Sequence, residues 1–436
     1  MCRLLAHESI RRRRRRHLMR RVAVDTPLFQ SLADRGFIHS VSNADGLRAA
    51  LDQPCTFYVG FDPTAPSLHT GHLIPLALSA HLAQAGHHPV LLAGGGTGLI
   101  GDPTDRAETR DLLSAERVAA NTRAVRRQVD RLFEGEQADV AIVDNADWLT
   151  KLRYLEFLRD IGRYFSVNEI LATETYRARL ESGQGLNFVE INYRLLQAYD
   201  FLHLFREHGC ILQIGGSDQW ANILAGVDLI RRIEGEEAFG LVTPLLTTST
   251  GQKMGKTASG ALWLDPQLTS PYDFFQYWIN IEDASVERTL ALLTTLPMDE
   301  VRALASLRGA RIRTAKERLA YEITARVHGV EAAGAARDGA RALFGRDGGS
   351  VAAAPQTRVT EDQLAAGLGI VDLLLRTGLA ESRSAARRLI AQGGAYANEQ
   401  RVESTDAVFH ADGFHDGELL LRSGKKRYHR VLVSND

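Results

Sequence analysis

Two histidines three residues apart, His69 and His72, lie in the stretch Gly60-Phe61-Asp62-Pro63-Thr64-Ala65-Pro66-Ser67-Leu68-His69-Thr70-Gly71-His72. A β-rich run precedes them and an apolar-periodic run follows, so the pair is expected on the first turn of a helix, sharing one face. A helix start exposes unpaired N–H groups and the positive end of the helix dipole, which suits phosphate. Gly71 leaves room for a flat adenine or ribose to approach the backbone. Taken alone, the same residues also read as a capped helix with two surface histidines, and a zinc site finds no obvious further ligands nearby. Some 180 residues later comes Lys253-Met254-Gly255-Lys256-Thr257, flanked by Gly251 and Gly260. Two lysines and a hydroxyl on a glycine-flanked loop can hold a triphosphate and tighten on departing pyrophosphate. Alone, that segment also reads as a solvated basic loop. A third pattern is Tyr193, Gln197 and Asp200, spaced i, i+4, i+7 on one helical stripe. Polar groups aimed inward are costly without a partner, and a bound ligand would be one.

The elements that must position these groups can be read from the sequence. Residues 56–60 (Thr-Phe-Tyr-Val-Gly) predict a buried strand, 73–85 a helix, and 88–93 a second short strand running into the Gly94–Gly98 loop. Further strands are expected at 139–143 and 210–214. Strands alternating with helices, with glycine turns at strand ends, predict an α/β fold with a Rossmann-like, doubly wound parallel sheet. In such sheets ligands sit at the carboxyl ends of the strands, where these loops fall.

The paired first and second motifs resemble the HIGH and KMSKS signatures of class I aminoacyl-tRNA synthetases. Thr70 stands where the first signature has Ile, and Gly255 and Thr257 stand at the two Ser-like positions of the second. Gly98-Leu-Ile-Gly-Asp-Pro103, Tyr193-Arg-Leu-Leu-Gln-Ala-Tyr-Asp200 and Gln213-Ile-Gly-Gly-Ser-Asp-Gln-Trp220 resemble, in the same order, the tyrosyl branch of that class. The likeness runs from Thr26 to Val433. It implies that Tyr58 and Asp200 hold a substrate phenol, and that Asp102, Tyr193 and Gln197 hold its ammonium group. Gln219 would lie along the tyrosine near its carboxylate. Gly60, Asp62, His69, His72, Asp218 and Lys256 would bind ATP, Asp218 through the ribose. Thr64, His69, His72, Lys253, Lys256 and Thr257 would stabilise the phosphates in the transition state. Arg106 and Arg110 fall where the family places basic residues near pyrophosphate and tRNA, Arg106 where a lysine is more usual. The implied function is tyrosine–tRNA ligation in the cytoplasm. ATP enters with Mg2+ as substrate, tRNA(Tyr) is the acceptor, and no permanent cofactor or dedicated metal site is implied. A homodimer is the implied assembly.

Beyond a Gly/Ala/Pro-rich linker, Asp372-Leu-Leu, Ser382-Arg383, Ala386-Arg387-Arg388 and Gly393-Gly394 resemble an S4 RNA-binding domain. Arg383, Arg387 and Arg388 on short helices, with Arg422, Lys425, Lys426 and Arg427 beside Tyr428, would face the RNA backbone. The expected organisation is an Arg-rich disordered extension over 1–25 and a catalytic domain over 26–260 with a helical insertion at about 114–185. An α-helical tRNA-facing domain over 261–344, a linker over 345–360 and a small α+β S4 module over 361–436 follow.

Composition limits the alternatives. The chain has 436 residues, 44% hydrophobic and 24% charged, long enough for two or three cores. No apolar run approaches the ~20 residues of a membrane helix. Net charge is -1, so any RNA-binding surface must be local. Cys2, Cys55 and Cys210 show neither zinc spacing nor a pairing pattern, which fits a reducing compartment. The Arg11–Arg16 run reads as an RNA-binding tail, a targeting segment, or an incidental extension ahead of Met19; the last is the expectation. Three rival functions are a tryptophanyl synthetase, a small-molecule nucleotidyltransferase and a non-catalytic RNA-binding protein. The Tyr193–Asp200 stripe, the C-terminal module and the intact His69, His72 and Lys256 weigh against each in turn.

Overall fold

The computed structural model describes residues 27–103, 113–133, 140–181, 183, 186–257, 260–344, 354–424 and 427–434, and of Glu174, Thr175, Ala178, Lys256, Thr257, Ala342, Leu343 and Phe344 only the backbone. The expected extension over 1–25, Arg106, Arg110, Lys425 and Lys426 lie outside the described residues.

Six strands form the main sheet: β1 (Ser40–Val41), β2 (Thr56–Phe61), β3 (His88–Ala93), β4 (Ala141–Asp144), β5 (Cys210–Gly216) and β6 (Phe239–Thr243). Their order is β1-β6-β5-β2-β3-β4, parallel throughout except for the antiparallel edge strand β1. From β2 the chain adds β3 and β4 on one side, then returns to add β5 and β6 on the other. That reversal opens a crevice between the carboxyl ends of β2 and β5. Both faces are covered, which is why β3 and β6 are apolar almost without interruption.

On one face lie α1 (Leu73–Gln84) and α2 (Ala115–Phe133); on the other lie α3 (Phe188–His208) and α4 (Trp220–Glu234). The 21-residue α3 has both ends fixed. Asn187 accepts from the Val189 N–H, Glu190 reaches back to the Asn187 N–H, and Gly209 ends the helix at φ +61°.

Three expectations need correction. The segment 114–185 is not simply a helical insertion, because β4 lies inside it and joins the main sheet beside β3. The apolar Ala141–Val143 can hydrogen-bond there as an edge strand, and the irregular helical layer begins only after it. The helical region 261–344 does not have a core of its own. Phe274, Phe275 and Trp278 of α5 (Pro271–Ile279), with Leu319 and Ile323 of α6 (Ile312–His328), share one buried cluster with Phe57, Val59, Leu212 and Leu241 of the sheet. The linker expected to reach residue 360 stops earlier, because Gln356–Thr360 is a strand, β9. Its Val359 is 1% exposed, and it pairs in parallel with Arg427–Ser434.

Between β6 and the 261–344 helices lies a short hairpin, β7 (Lys256–Thr257) with β8 (Gly260–Ala261); the C-terminal module follows those helices. The module contains β9, β10 (Leu368–Gly369), β11 (Ala395–Ala397), β12 (Gln400–Arg401), β13 (Val408–Phe409), β14 (Glu418–Ser423) and β15 (Arg427–Ser434). Five of these form a sheet in the order β12-β11-β14-β15-β9, with β10 and β13 paired separately. Its helices α7 (Ile370–Arg376) and α8 (Arg383–Ala391) pack Leu373, Leu374, Ala386 and Ile390 onto a buried cluster confined to residues 359–431.

Candidate active site

A cavity of about 630 Å³ opens at the carboxyl ends of β2 and β5, where the strand order reverses. Tyr58, Gly60 and Asp62 line it from β2 and its following loop. Tyr193, Gln197 and Asp200 line it from α3, and Asp218 and Gln219 from the turn after β5. Thr64, His69, His72, Asp102 and Lys253 complete the set. Every described side chain expected to bind the amino acid or ATP therefore faces one space. Only the side chains of Lys256 and Thr257 lie outside the description.

The inner end is built around Asp200, which is 2% exposed. Its two oxygens accept from Trp148 Nε1 at 2.7 Å and from Asn145 Nδ2 at 2.8 Å. Burial nevertheless pushes the carboxyl up to about 8, against the pull of those two bonds. Tyr58, from the facing strand, packs its ring on Phe201 and is 1% exposed. Its hydroxyl has no hydrogen-bond partner. Burial, with Asp200 beside it, holds that hydroxyl well above the ordinary tyrosine range. The amide oxygens of Gln197 and Gln213 are likewise buried and without partners.

Midway, Asp62 accepts from Thr97 Oγ1 (2.7 Å) and from the Tyr193 hydroxyl (2.9 Å). A Cβ on Gly94 would overlap the Asp62 carboxylate, so only glycine lets the β3 loop close on β2. Gln219 donates to Asp102 at 2.6 Å and accepts from Asn222, which in turn accepts from Arg194.

At the mouth, a three-residue 3-10 turn, Thr70–His72, leads into α1. The His69 Nδ1 accepts from the Gly71 N–H and the His72 Nδ1 from the His69 N–H, both at 3.1 Å. Backbone N–H groups only donate, so both rings carry their proton on Nε2. Burial depresses both histidines, with Lys253 adding to the effect on His69, and His72 falls to about 3. Both are neutral donors at neutral pH. The second motif docks on the first through main chain. Thr70 N–H donates to Leu262, Leu262 N–H to Gly255, and Gly255 N–H to the Tyr277 hydroxyl. Gly255 has φ +83°, and a Cβ there would overlap Thr70 Oγ1. Two departures from the class signatures, Thr70 and Gly255, thus meet in space.

Comparison with known proteins agrees with this geometry. The family described as tRNA synthetases class I (W and Y) matches residues 50–345, and the tyrosine–tRNA ligase SYY-like C-terminal domain matches residues 350–431. The chain is 49% identical to a tyrosine–tRNA ligase of Acetivibrio thermocellus over 407 residues, 93% of this chain and 99% of that one. The same identity and coverage hold for a tyrosine–tRNA ligase of Caldanaerobacter subterraneus. The chain belongs to the tyrosyl-tRNA synthetase family. Among solved structures, a C-terminally truncated mitochondrial tyrosyl-tRNA synthetase from Aspergillus nidulans aligns with TM-score 0.67 and 32% identity, covering 73% of this chain and 94% of that one.

Against what the family resemblance implies, the structure adds residues that sequence reasoning missed. Asn145 and Trp148 follow β4, in a stretch read as insertion, and no spacing links them to Asp200. Thr97 and Asn222 hide inside a loop and a helix with no polar periodicity. Gln213 did carry a signal, as a lone amide inside the apolar run Cys210–Ile214. The proposed RNA-facing cations are not all equivalent. Arg387 and Arg388 are exposed on α8, whereas Arg383 is paired with Asp372 at 2.7 Å. Arg422 lies 3.6 Å from the Tyr396 ring centre and pairs with Glu399, so it helps build the module.

Proposed function

We propose that this cavity activates tyrosine with MgATP and that the chain then passes the tyrosyl group to tRNA(Tyr). One observation carries the reading. Tyr58 Oη and Gln197 Oε1 are buried without partners in a cavity that also holds a doubly anchored Asp200. Unpaired buried polar atoms are costly, and an amino acid with a hydroxyl at one end and an ammonium at the other relieves that cost.

In the first step a carboxylate oxygen of tyrosine bonds to the α-phosphorus. The bond from that phosphorus to the bridging oxygen breaks, and pyrophosphate leaves with the electron pair. Tyr58 and Asp200 hold the phenol; Asp102, Tyr193 and Gln197 hold the ammonium; Gln219 lies by the carboxylate. The fixed Nε2–H groups of His69 and His72 donate to phosphate oxygens, joined by Thr64, Lys253, Lys256 and Thr257. Preorganised neutral donors beside lysine charges need no reorganisation as charge builds up. Gly60, Asp62 and Asp218 receive the nucleotide. In the second step a terminal ribose hydroxyl of tRNA attacks the tyrosyl carbonyl and AMP departs. Arg387 and Arg388, with Lys425 and Lys426, hold the RNA backbone.

The assembly we propose is a homodimer working in the cytoplasm. Its support is a group of exposed apolar side chains, Tyr154, Leu155, Val167, Leu180 and Phe188, gathered in the 154–188 stretch after β4. The test of the whole reading is charging of bulk bacterial tRNA with each of the twenty labelled amino acids. Tyrosine alone should be incorporated; charging with tryptophan, or none, refutes it.

A further inference from the structure

The buried face of α2 carries Val118, Val125, Val129, Leu132 and Phe133, and among them three polar residues, Asn121, Thr122 and Gln128. Thr122 returns its hydroxyl to the Val118 carbonyl within the helix. Asn121 and Gln128, seven residues apart and therefore on one stripe, reach out of it instead. Asn121 Nδ2 donates to the Pro63 carbonyl at 2.9 Å. Gln128 Oε1 accepts from the Leu68 N–H at 2.9 Å and from the Ser67 hydroxyl at 3.2 Å. One helix thus grips both ends of the 63–68 segment, and Leu68 is the residue bonded to His69.

A main-chain N–H only donates, so the amide oxygen of Gln128 must face Leu68. That leaves Gln128 Nε2 buried with no hydrogen-bond partner. For stability alone the arrangement gains little, since it satisfies one buried donor and strands another. What it gains is position. From the other side the same stretch is held by main chain: Leu264 N–H donates to the Leu68 carbonyl, Asp265 N–H to Ser67 Oγ, and Thr70 N–H to Leu262. Gln128 fixes it from the helix side. The His69 N–H then donates to His72 Nδ1, and His69 Nδ1 takes the Gly71 N–H. Where the Leu68–His69 peptide lies therefore sets the direction of both Nε2–H groups.

We propose that Gln128 is a positioning residue for the activation step, setting the His69–His72 turn through the Leu68 main chain. It does not line the cavity, and it acts on the phosphates only through the turn it holds. The inference rests on the reading of His69 and His72 as donors to phosphate. A preorganised donor stabilises developing charge only when its N–H is aimed at the oxygen, and a misplacement of about 1 Å can cost on the order of 100-fold in rate.

The experiment is a double-mutant cycle on the full chain: Gln128→Met in the wild-type and in the His69→Ala background. The readouts are single-turnover formation of tyrosyl-adenylate at saturating MgATP and tyrosine, and tyrosine Kd by equilibrium titration. Methionine keeps the length of the side chain and removes both the acceptor and the stranded donor. In the wild-type background the rate should fall by about tenfold, with tyrosine Kd unchanged. In the His69→Ala background the same substitution should cost no more than about twofold, because the group that Gln128 aims is gone. A residue that merely stabilises the fold would act equally in both. Equal factors, an unchanged rate, or a loss confined to tyrosine binding overturn the proposal. If Gln128→Met does not fold, Gln128→Asn, which withdraws the acceptor by one methylene and keeps the amide, carries the same cycle. Wild type that forms no tyrosyl-adenylate, or His69→Ala as fast as wild type, removes the underlying reading of the site; an active wild type, a slowed His69→Ala and equal factors remove this inference alone.

Discussion

Replacing Tyr58 by Phe should move two observables in opposite directions. In the ligand-free protein the Tyr58 hydroxyl is buried and unpartnered, while its ring is packed on Phe201 with centroids 5.3 Å apart. Phenylalanine keeps the ring contact and deletes the unsatisfied group. An orphaned buried hydroxyl costs about 1–3 kcal/mol, so the free protein should gain stability of that order. For a catalytic body of about 300 residues, an unfolding entropy of about 2.1 cal/mol/K per residue makes that a rise in Tm of roughly 1.5 °C per kcal/mol. With tyrosine bound, the same hydroxyl is proposed to donate to the phenol. Its loss removes about 0.5–1.5 kcal/mol, a rise of about 2- to 13-fold in tyrosine Kd. Differential scanning fluorimetry without ligand, and calorimetric titration with tyrosine, read the two effects. The tyrosine-to-phenylalanine ratio of kcat/KM should fall by the same factor as affinity. A lowered Tm together with an unchanged ratio would show that the hydroxyl is bonded within the protein, and would refute the argument.

Four further outcomes are expected. His69→Ala and His72→Ala should each slow tyrosyl-adenylate formation while leaving tyrosine Kd nearly unchanged, because their contacts strengthen only as charge develops on the phosphates; stopped-flow tryptophan fluorescence separates the two quantities. Stability should fall as pH drops below about 6.5. Burial depresses His72 and His81 to about 3, and His87, His328 and His429 to about 4, so the unfolded chain binds protons that the folded chain refuses. Those five take up roughly four to five protons on unfolding at pH 5, and Asp200, raised in the fold, releases roughly one, for a net uptake of roughly three to four; the slope of stability against pH measures it, and a flat slope contradicts it. Truncation at Ala352 should spare tyrosine-dependent exchange and abolish most transfer to tRNA, since the C-terminal module has its own buried cluster. Arg387→Ala should weaken tRNA binding and reduce its salt slope by about one; a parallel loss of exchange and transfer on truncation would show that the module supports the catalytic fold instead.

The residues most legible in the sequence were those whose neighbours in the chain are also their neighbours in space. His69 and His72 share one turn, and Tyr193, Gln197 and Asp200 share one helical stripe, so local periodicity brought each set together. The alternation of 56–60 and 88–93 with a helix likewise exposed the parallel sheet. What stayed hidden depends on long-range closure. The strand at 139–143 was legible, but Asn145 and Trp148 reach Asp200 only because that strand, β4, pairs beside β3, and its partner cannot be read locally. β9 reads as linker because only alternate residues are buried and its partner, Arg427–Ser434, lies some 70 residues away. The shared core of the sheet and the 261–344 helices was also out of reach. Phe274 and Trp278 mark a buried helix face, but nothing local says which surface covers it.

The central claim, that this cavity selects tyrosine, is tested most directly by ATP–pyrophosphate exchange with the full chain and each of the twenty amino acids in turn. Tyrosine should support exchange and phenylalanine should be strongly disfavoured, since the buried groups that meet the phenol would be left unpaired. Exchange with His72→Ala should fall with no change of preferred amino acid. Exchange driven by tryptophan, or comparable rates with tyrosine and phenylalanine, would contradict the assignment of Tyr58 and Asp200 to the phenol.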